Sequence, residues 1–172
     1  MADIDWDNSR TPAAEAALAE LGQHIGFTVQ QPERDYGIGP DVLWALGQHT
    51  YAVIEAKTGA QAPRIWKKDI NQLAGSVHWC HREYGSDATV TPVVVHPSHI
   101  VDKTGTPPIG TRVITASKLS ALKQAVRQFA RAVSQDGKYN KAAEIEHQLA
   151  ALSLNVGVLV SNFTQAAYRE AK

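Results

Sequence analysis

The segment Thr89 to His96, TVTPVVVH, is a nearly continuous apolar run of strand length, despite Pro92 near its start. A strand that is apolar on both faces belongs in the centre of a sheet with other elements covering it above and below. The spacing of apolar residues elsewhere supplies those covers. Trp66, Ile70, Leu73, Val77, Cys80 and Tyr84 alternate steps of four and three, the clearest helical stripe in the chain, and Gly85-Ser86-Asp87 stops it. Ala14, Leu18, Leu21 and Ile25 mark an earlier helix opened by Thr11-Pro12, with Gly22 and Gly26 at its weakening end. Leu119, Leu122, Val126, Phe129 and Val133 mark a later one capped by Ser117.

The remaining strands are shorter. Phe27-Thr28-Val29 begins one, which breaks at Gln31-Pro32 into a polar loop reaching Pro40. Asp41 to Ala45 and Tyr51 to Lys57 read as hairpin partners joined by the tight turn Gly47-Gln48-His49. Arg112-Val113-Ile114 is a further short strand, and a helix carrying Ile145, Leu149 and Leu152 follows Asn140. Val156 to Val160 reads as a final strand or buried turn, and the tail from Thr164 as helical. The order is helix, three strands, helix, strand, then further helices: an α/β pattern whose hairpin makes the sheet mixed.

Composition enters as a set of exclusions. The 172 residues carry one cysteine, Cys80, so no internal disulfide can form, which fits a reducing cytoplasm. No CxxC pair exists, so zinc-ribbon and zinc-finger frameworks are excluded. The opening MADIDWDNSR is acidic without an apolar stretch, and no apolar run approaches a membrane span. The whole chain reads as one domain. Its net charge is zero but unevenly placed: residues 1–41 hold eight acids against two arginines, net −6, leaving a basic remainder that could face phosphates.

Strand geometry points to chemistry at one place. With a period of two, Val53, Glu55 and Lys57 project from the same face, Ile54 and Ala56 from the other, so an acid and an amine lie about 7 Å apart at a strand end. Asp41 begins the hairpin partner, and pairing brings its carboxylate toward Glu55. Two carboxylates so placed repel unless a cation lies between them; a hard divalent ion with oxygen ligands, Mg²⁺ or Mn²⁺, suits that position. The triplet alone is weak evidence, since acid-x-Lys also occurs at Asp136-Gly137-Lys138 and Glu170-Ala171-Lys172. Only the first closes a strand just after a Pro-Asp hairpin partner.

Pro40-Asp41 within IGPDVLW, followed by Glu55-Ala56-Lys57 within YAVIEAKTG, resembles the PD-(D/E)XK nuclease superfamily over roughly residues 11–96. The resemblance implies a restriction-endonuclease-like fold, an α-β-β-β-α-β core with extra C-terminal helices over about 112–172. It implies that Asp41 and Glu55 bind the metal and that Lys57 positions or activates the attacking water. Many members carry a Glu on the first helix, implying Glu15, with Glu20 as competitor, as a further metal ligand. Some carry a Gln on the helix after the Lys strand, as Gln72 does here, so that Lys68, Gln72 and Gly75 would border the site. The C-terminal third more loosely resembles nuclease modules that accompany helicases in bacterial DNA processing or defence.

The expectation is a Mg²⁺-dependent DNA nuclease, with a homodimer required if a single-site domain cuts both strands. The alternative is a catalytically inactive relative that binds nucleic acid or a partner protein. Lys123, Arg127 and Arg131, spaced by four, form a basic helical stripe that is either a solvated face or a phosphate track. His78, Cys80 and His81 are spaced wrongly for a metal site on one face. His96 and His99, at a strand end, are weaker candidates for substrate contact.

Overall fold

The computed structural model describes residues 11–169, the side chains of 136–138 excepted. The acidic opening of the chain and the Glu170-Ala171-Lys172 triplet lie outside the described residues. The architecture is mixed α/β. Helix α1 (Thr11–His24) leads to β1 (Thr28–Gln30), the short helix α2 (Pro32–Tyr36), β2 (Val42–Gly47), β3 (Thr50–Ala56), α3 (Lys67–Tyr84) and β4 (Thr89–Val95). There follow β5 (Ile100–Val101), β6 (Arg112–Ile114), α4 (Ala116–Ser134), a 3-10 turn (Gln135–Asn140), α5 (Ala142–Ala151), α6 (Val156–Phe163), β7 (Gln165–Ala166) and β8 (Tyr168–Arg169).

The main sheet has six strands in the order β1-β2-β3-β4-β6-β7. The pairs β1/β2, β2/β3 and β6/β7 are antiparallel; β3/β4 and β4/β6 are parallel. Pro92 is tolerated in the interior strand β4 because β6 pairs only with Val93 to Val95, leaving that flank open at Pro92. The β2/β3 turn needs left-handed backbone at Gly47, Gln48 and His49, with φ of 95°, 47° and 59°. Glycine takes this without a Cβ clash, and two residues at positive φ match the twist of a hairpin.

Alternation along the strands divides the interior in two. Val42, Trp44, Ala52, Ile54, Ala56, Val93 and Val95 face Leu18, Leu21, Leu122, Val126 and Phe129 of α1 and α4. Leu43, Val53, Val94 and Val113 face Ile70, Leu73 and Cys80 of α3. Glu55 shares the parity of Val53 and so projects toward α3, as the period of two requires. Trp44 is buried, and its indole N–H donates to the Leu18 carbonyl at 3.2 Å. It lies so close to α1 that a Cβ on Gly22 would stand 2.5 Å from its ring nitrogen.

Four sequence expectations are corrected. The polar stretch after Gln31 contains α2, held by Gly37 N–H to Glu33 O at 2.8 Å and by Glu33 N–H to Pro40 O at 3.2 Å. Val156 to Val160 is helical, because Leu159 and Phe163, four apart, bury together while Val156 and Val158 stay exposed. The tail after Thr164 is extended: Ala167 N–H bonds Thr111 O at 3.1 Å and Tyr168 N–H bonds His99 O at 2.9 Å, so open strand edges capture it. Trp66 stands outside the buried stripe of α3 at 44% exposure, whereas the polar Asp69 and Ser76 are buried. Among the described residues, no helix is long and apolar enough to cross a membrane.

Candidate active site

The hairpin and α3 bring their polar side chains together at one end of the sheet. Asp41 immediately precedes β2, and its Oδ2 accepts the Ala56 N–H at 2.7 Å, so the carboxylate is fixed to the end of β3 across the hairpin. Glu55 is fully buried: Ser76 Oγ donates to its Oε1 at 2.6 Å and Lys57 Nζ donates to its Oε2 at 3.1 Å. The same ammonium lies 3.7 Å from Asp41 Oδ2. Lys57 is anchored through its backbone, whose N–H continues the β3/β4 ladder to Val95 O at 2.9 Å.

Asp41 and Lys57 open onto a cleft of about 450 Å³ lined also by Glu15 and Pro12 of α1, Glu33 and Arg34 of α2 and Gln72 of α3 among others, whereas Glu55, buried against Lys57, and Ser76 are not among the lining residues. The structure therefore brings Asp41, Glu55, Lys57, Glu15 and Gln72 to one site. Glu20 is exposed and is not among the lining residues. Lys68 is exposed on the first turn of α3 and does not line the cleft. Lys123, Arg127 and Arg131 line a separate groove of about 400 Å³ along α4. His96 is fully enclosed, with Nδ1 2.8 Å from Ser98 O and 3.0 Å from its N, so its ring does not line the cleft. Cys80 is buried in the α3 core, where burial pushes its thiol up to about 11.

Two contributors escaped the sequence reading. Ser76 is four residues after Gln72, on the same helical face, and that spacing was the available signal. Glu33 was hidden by the brevity of α2; the signal was Pro32 at a helix start followed by acids in the first turn.

The electrostatics are those of crowded carboxyls. Burial, then the nearby Asp41 charge, raises the Glu55 pKa from 4.5 to about 7. A hydrogen bond with Asp41, aided by partial burial, raises that of Glu33 to about 7. Glu15 rises to about 6 through burial and Asp41. Burial disfavours the Lys57 ammonium, but Glu55 and Asp41 outweigh it and push its pKa up. Lys57 is thus a cation at neutral pH.

The donor set is all oxygen and hard, and burial raises the pKa values of Glu15 and Glu55, with the Asp41 charge adding to it. Among the described residues, no three His, Cys, Asp or Glu side chains form a ready-made metal cage. No known protein family, curated protein or solved structure matches this chain.

Proposed function

We propose that this chain is a divalent-metal-dependent nuclease of restriction-endonuclease-like fold that hydrolyses DNA phosphodiester bonds. One observation carries the reading. An acid fixed before β2, an amine just after β3 and a glutamate from α1 line one cleft, and the buried Glu55 at the end of β3 is tied to that amine, with Lys57 Nζ 3.1 Å from Glu55 and 3.7 Å from Asp41. This is the arrangement that the resemblance to PD-(D/E)XK nucleases implies for these positions.

In this reading Asp41 and Glu55, with Glu15, would hold Mg²⁺ or Mn²⁺. When bound, such an ion supplies Lewis-acid polarisation of a phosphate oxygen and of water. The protein's own part is positional. Backbone Ala56 and side chain Ser76 orient the two carboxylates, so the anionic oxygens need no reorganisation as the substrate arrives. Lys57, being an ammonium, donates hydrogen bonds; it holds the attacking water or a phosphate oxygen and does not take the water's proton. Proton acceptance falls to Glu33, the carboxyl of raised pKa on the cleft wall that is outside the metal-holding set. Gln72, on the cleft wall, serves substrate orientation, and the α4 stripe offers cations for the flanking backbone.

The test is incubation of the purified chain with labelled linear and circular DNA, with Mg²⁺ and with EDTA. Cleavage is expected only with the metal, and Lys57→Ala should lower it by at least about a hundredfold. Cleavage that persists in Lys57→Ala, or none in wild type with Mg²⁺ or Mn²⁺, would overturn the assignment; the second result would leave a module that binds without cutting.

A further inference from the structure

Beside the cleft, α2 and α3 enclose a second groove of about 360 Å³ lined by Gln30, Tyr36, Ile38, Trp79, Glu83 and Tyr84. We infer that this groove stacks the unpaired bases of a single-stranded nucleic acid whose backbone lies in the carboxylate cleft. The inference deepens the nuclease reading and rests on it, since it names the form of substrate that the same site takes.

The two depressions draw lining residues from the same two helices. On α2, Glu33 faces the cleft and Tyr36, three residues later, the groove. On α3, Gln72, Trp79 and Glu83 lie seven and four residues apart, on one helical face. From Gln72 at the cleft to Trp79 at the groove is seven residues, about 10 Å of helix rise. A chain lying along this face would pass from one depression into the other.

The groove leaves one ring, Tyr36, open to a flat partner and holds the others in place by packing. Its inner wall is preorganised: Tyr84 stacks on Tyr51 with centroids 4.6 Å apart, its hydroxyl donates to Gln30 Oε1 at 2.7 Å, and Trp79 meets it edge-on at 6.1 Å. Trp79 also packs on Gly39, where a Cβ would stand 2.9 Å from the indole. Opposite, Tyr36 and Ile38 are 74% and 53% exposed, large apolar surfaces that a folded chain does not leave in water without cost. The one carboxylate among the lining residues, Glu83, is paired with Arg82 at 2.9 Å. With no lining cation, the groove is suited to bases and not to phosphates. Aromatic walls bind bases through their π-faces, with little regard to sequence. Paired bases in a duplex have those faces covered, so the groove selects an unpaired strand.

The experiment compares three fluorescent probes by anisotropy at fixed salt, once in Ca²⁺ and once in EDTA: a twelve-residue oligothymidylate, a strand of equal length with abasic sugars, and a blunt duplex. Wild type should bind the base-bearing strand at least about tenfold more tightly than the abasic one. The double substitution Tyr36→Ala/Ile38→Ser alters two exposed side chains and should keep the wild-type melting temperature. It should abolish that preference while leaving duplex affinity unchanged, and Trp79→Phe should retain part of it. Equal affinity of wild type for the two single strands, or a preference that the double variant keeps, would overturn the inference and leave the groove to an apolar protein segment. Whether the chain cuts is read separately, from Mg²⁺-dependent hydrolysis of the same oligothymidylate, so failure of the nuclease reading is distinguishable from failure of base stacking.

Discussion

Glu55 shows how one side chain can be set by three others. Ser76 holds one oxygen, Lys57 the other, and Asp41 raises its proton affinity from nearby. The Ser76 hydrogen bond favours the charged form and offsets part of the burial. Ser76→Ala should therefore raise the Glu55 pKa further and move the acid limb of the pH–rate profile to higher pH. It should also cost about 1–3 kcal/mol at neutral pH, because a buried acceptor loses its donor. Cleavage assays across pH, where the proposed activity is present, and thermal melting check the two parts, and a Ser76→Ala variant with an unmoved acid limb would remove Ser76 from the site. The residues that carry charge were legible in the sequence, because strand parity alone places Glu55 and Lys57 on one face. Ser76 was not, because a serine near an apolar stripe looks like surface until its partner on the facing strand is known. Glu33 was not, because five residues of helix leave no periodicity to read.

At the scale of elements, legibility followed the length of the repeating pattern. The hairpin and α3 could be read, since a period of two and a stripe over 18 residues each leave little choice of partner face. VGVLV could not: a five-residue apolar run fits strand and helix equally, and tertiary burial of Leu159 and Phe163 decided it. The tail followed the unpaired edges of β5 and β6, which local sequence does not record. Helix glycines make the same point with opposite signs. Gly22 looks like a fraying end, yet α1 continues through it to His24 and Trp44 fills the space beside it. The indole is held by Leu18 and cannot withdraw, so Gly22→Ala should destabilise by about 1–3 kcal/mol through overpacking, despite the better helix propensity of alanine. Gly75 of α3 has nothing within 4 Å of its Cβ position, so Gly75→Ala should stabilise by about 0.5–1 kcal/mol. Chemical denaturation of the two variants checks both signs; a stabilised Gly22→Ala would mean that α1 and β2 are not packed this closely.

For the whole molecule, the site concentrates negative charge at one end of a neutral chain, and folding is coupled to protons there. Glu55, Glu33 and Glu15 all have native pKa values above their usual 4.5, at about 7, 7 and 6. Between about pH 4.5 and 7 the native state therefore binds more protons than the unfolded chain, and the slope of unfolding free energy against pH is negative. This contribution is fully present below the unfolded pKa and is lost as pH rises through the native values. His96 opposes it, because burial lowers its pKa and its contribution to stability grows with pH. The comparison must then be made between wild type and Glu55→Gln, which share His96. Glu55→Gln keeps the side-chain volume and removes one titrating carboxyl, so its melting temperature without metal should fall less than that of wild type between pH 5 and 8. A divalent ion competes with the same protons. Its stabilisation, set by mass action on the native state, should be small at pH 5 and grow toward pH 8 in wild type, and should be largely lost in Glu55→Gln. Differential scanning of both proteins, with and without Mg²⁺, at pH 5, 6.5 and 8 tests this. Parallel pH curves would mean that Glu55 does not carry the raised pKa, and equal Mg²⁺ responses would place the ion elsewhere than on the Asp41/Glu55 pair.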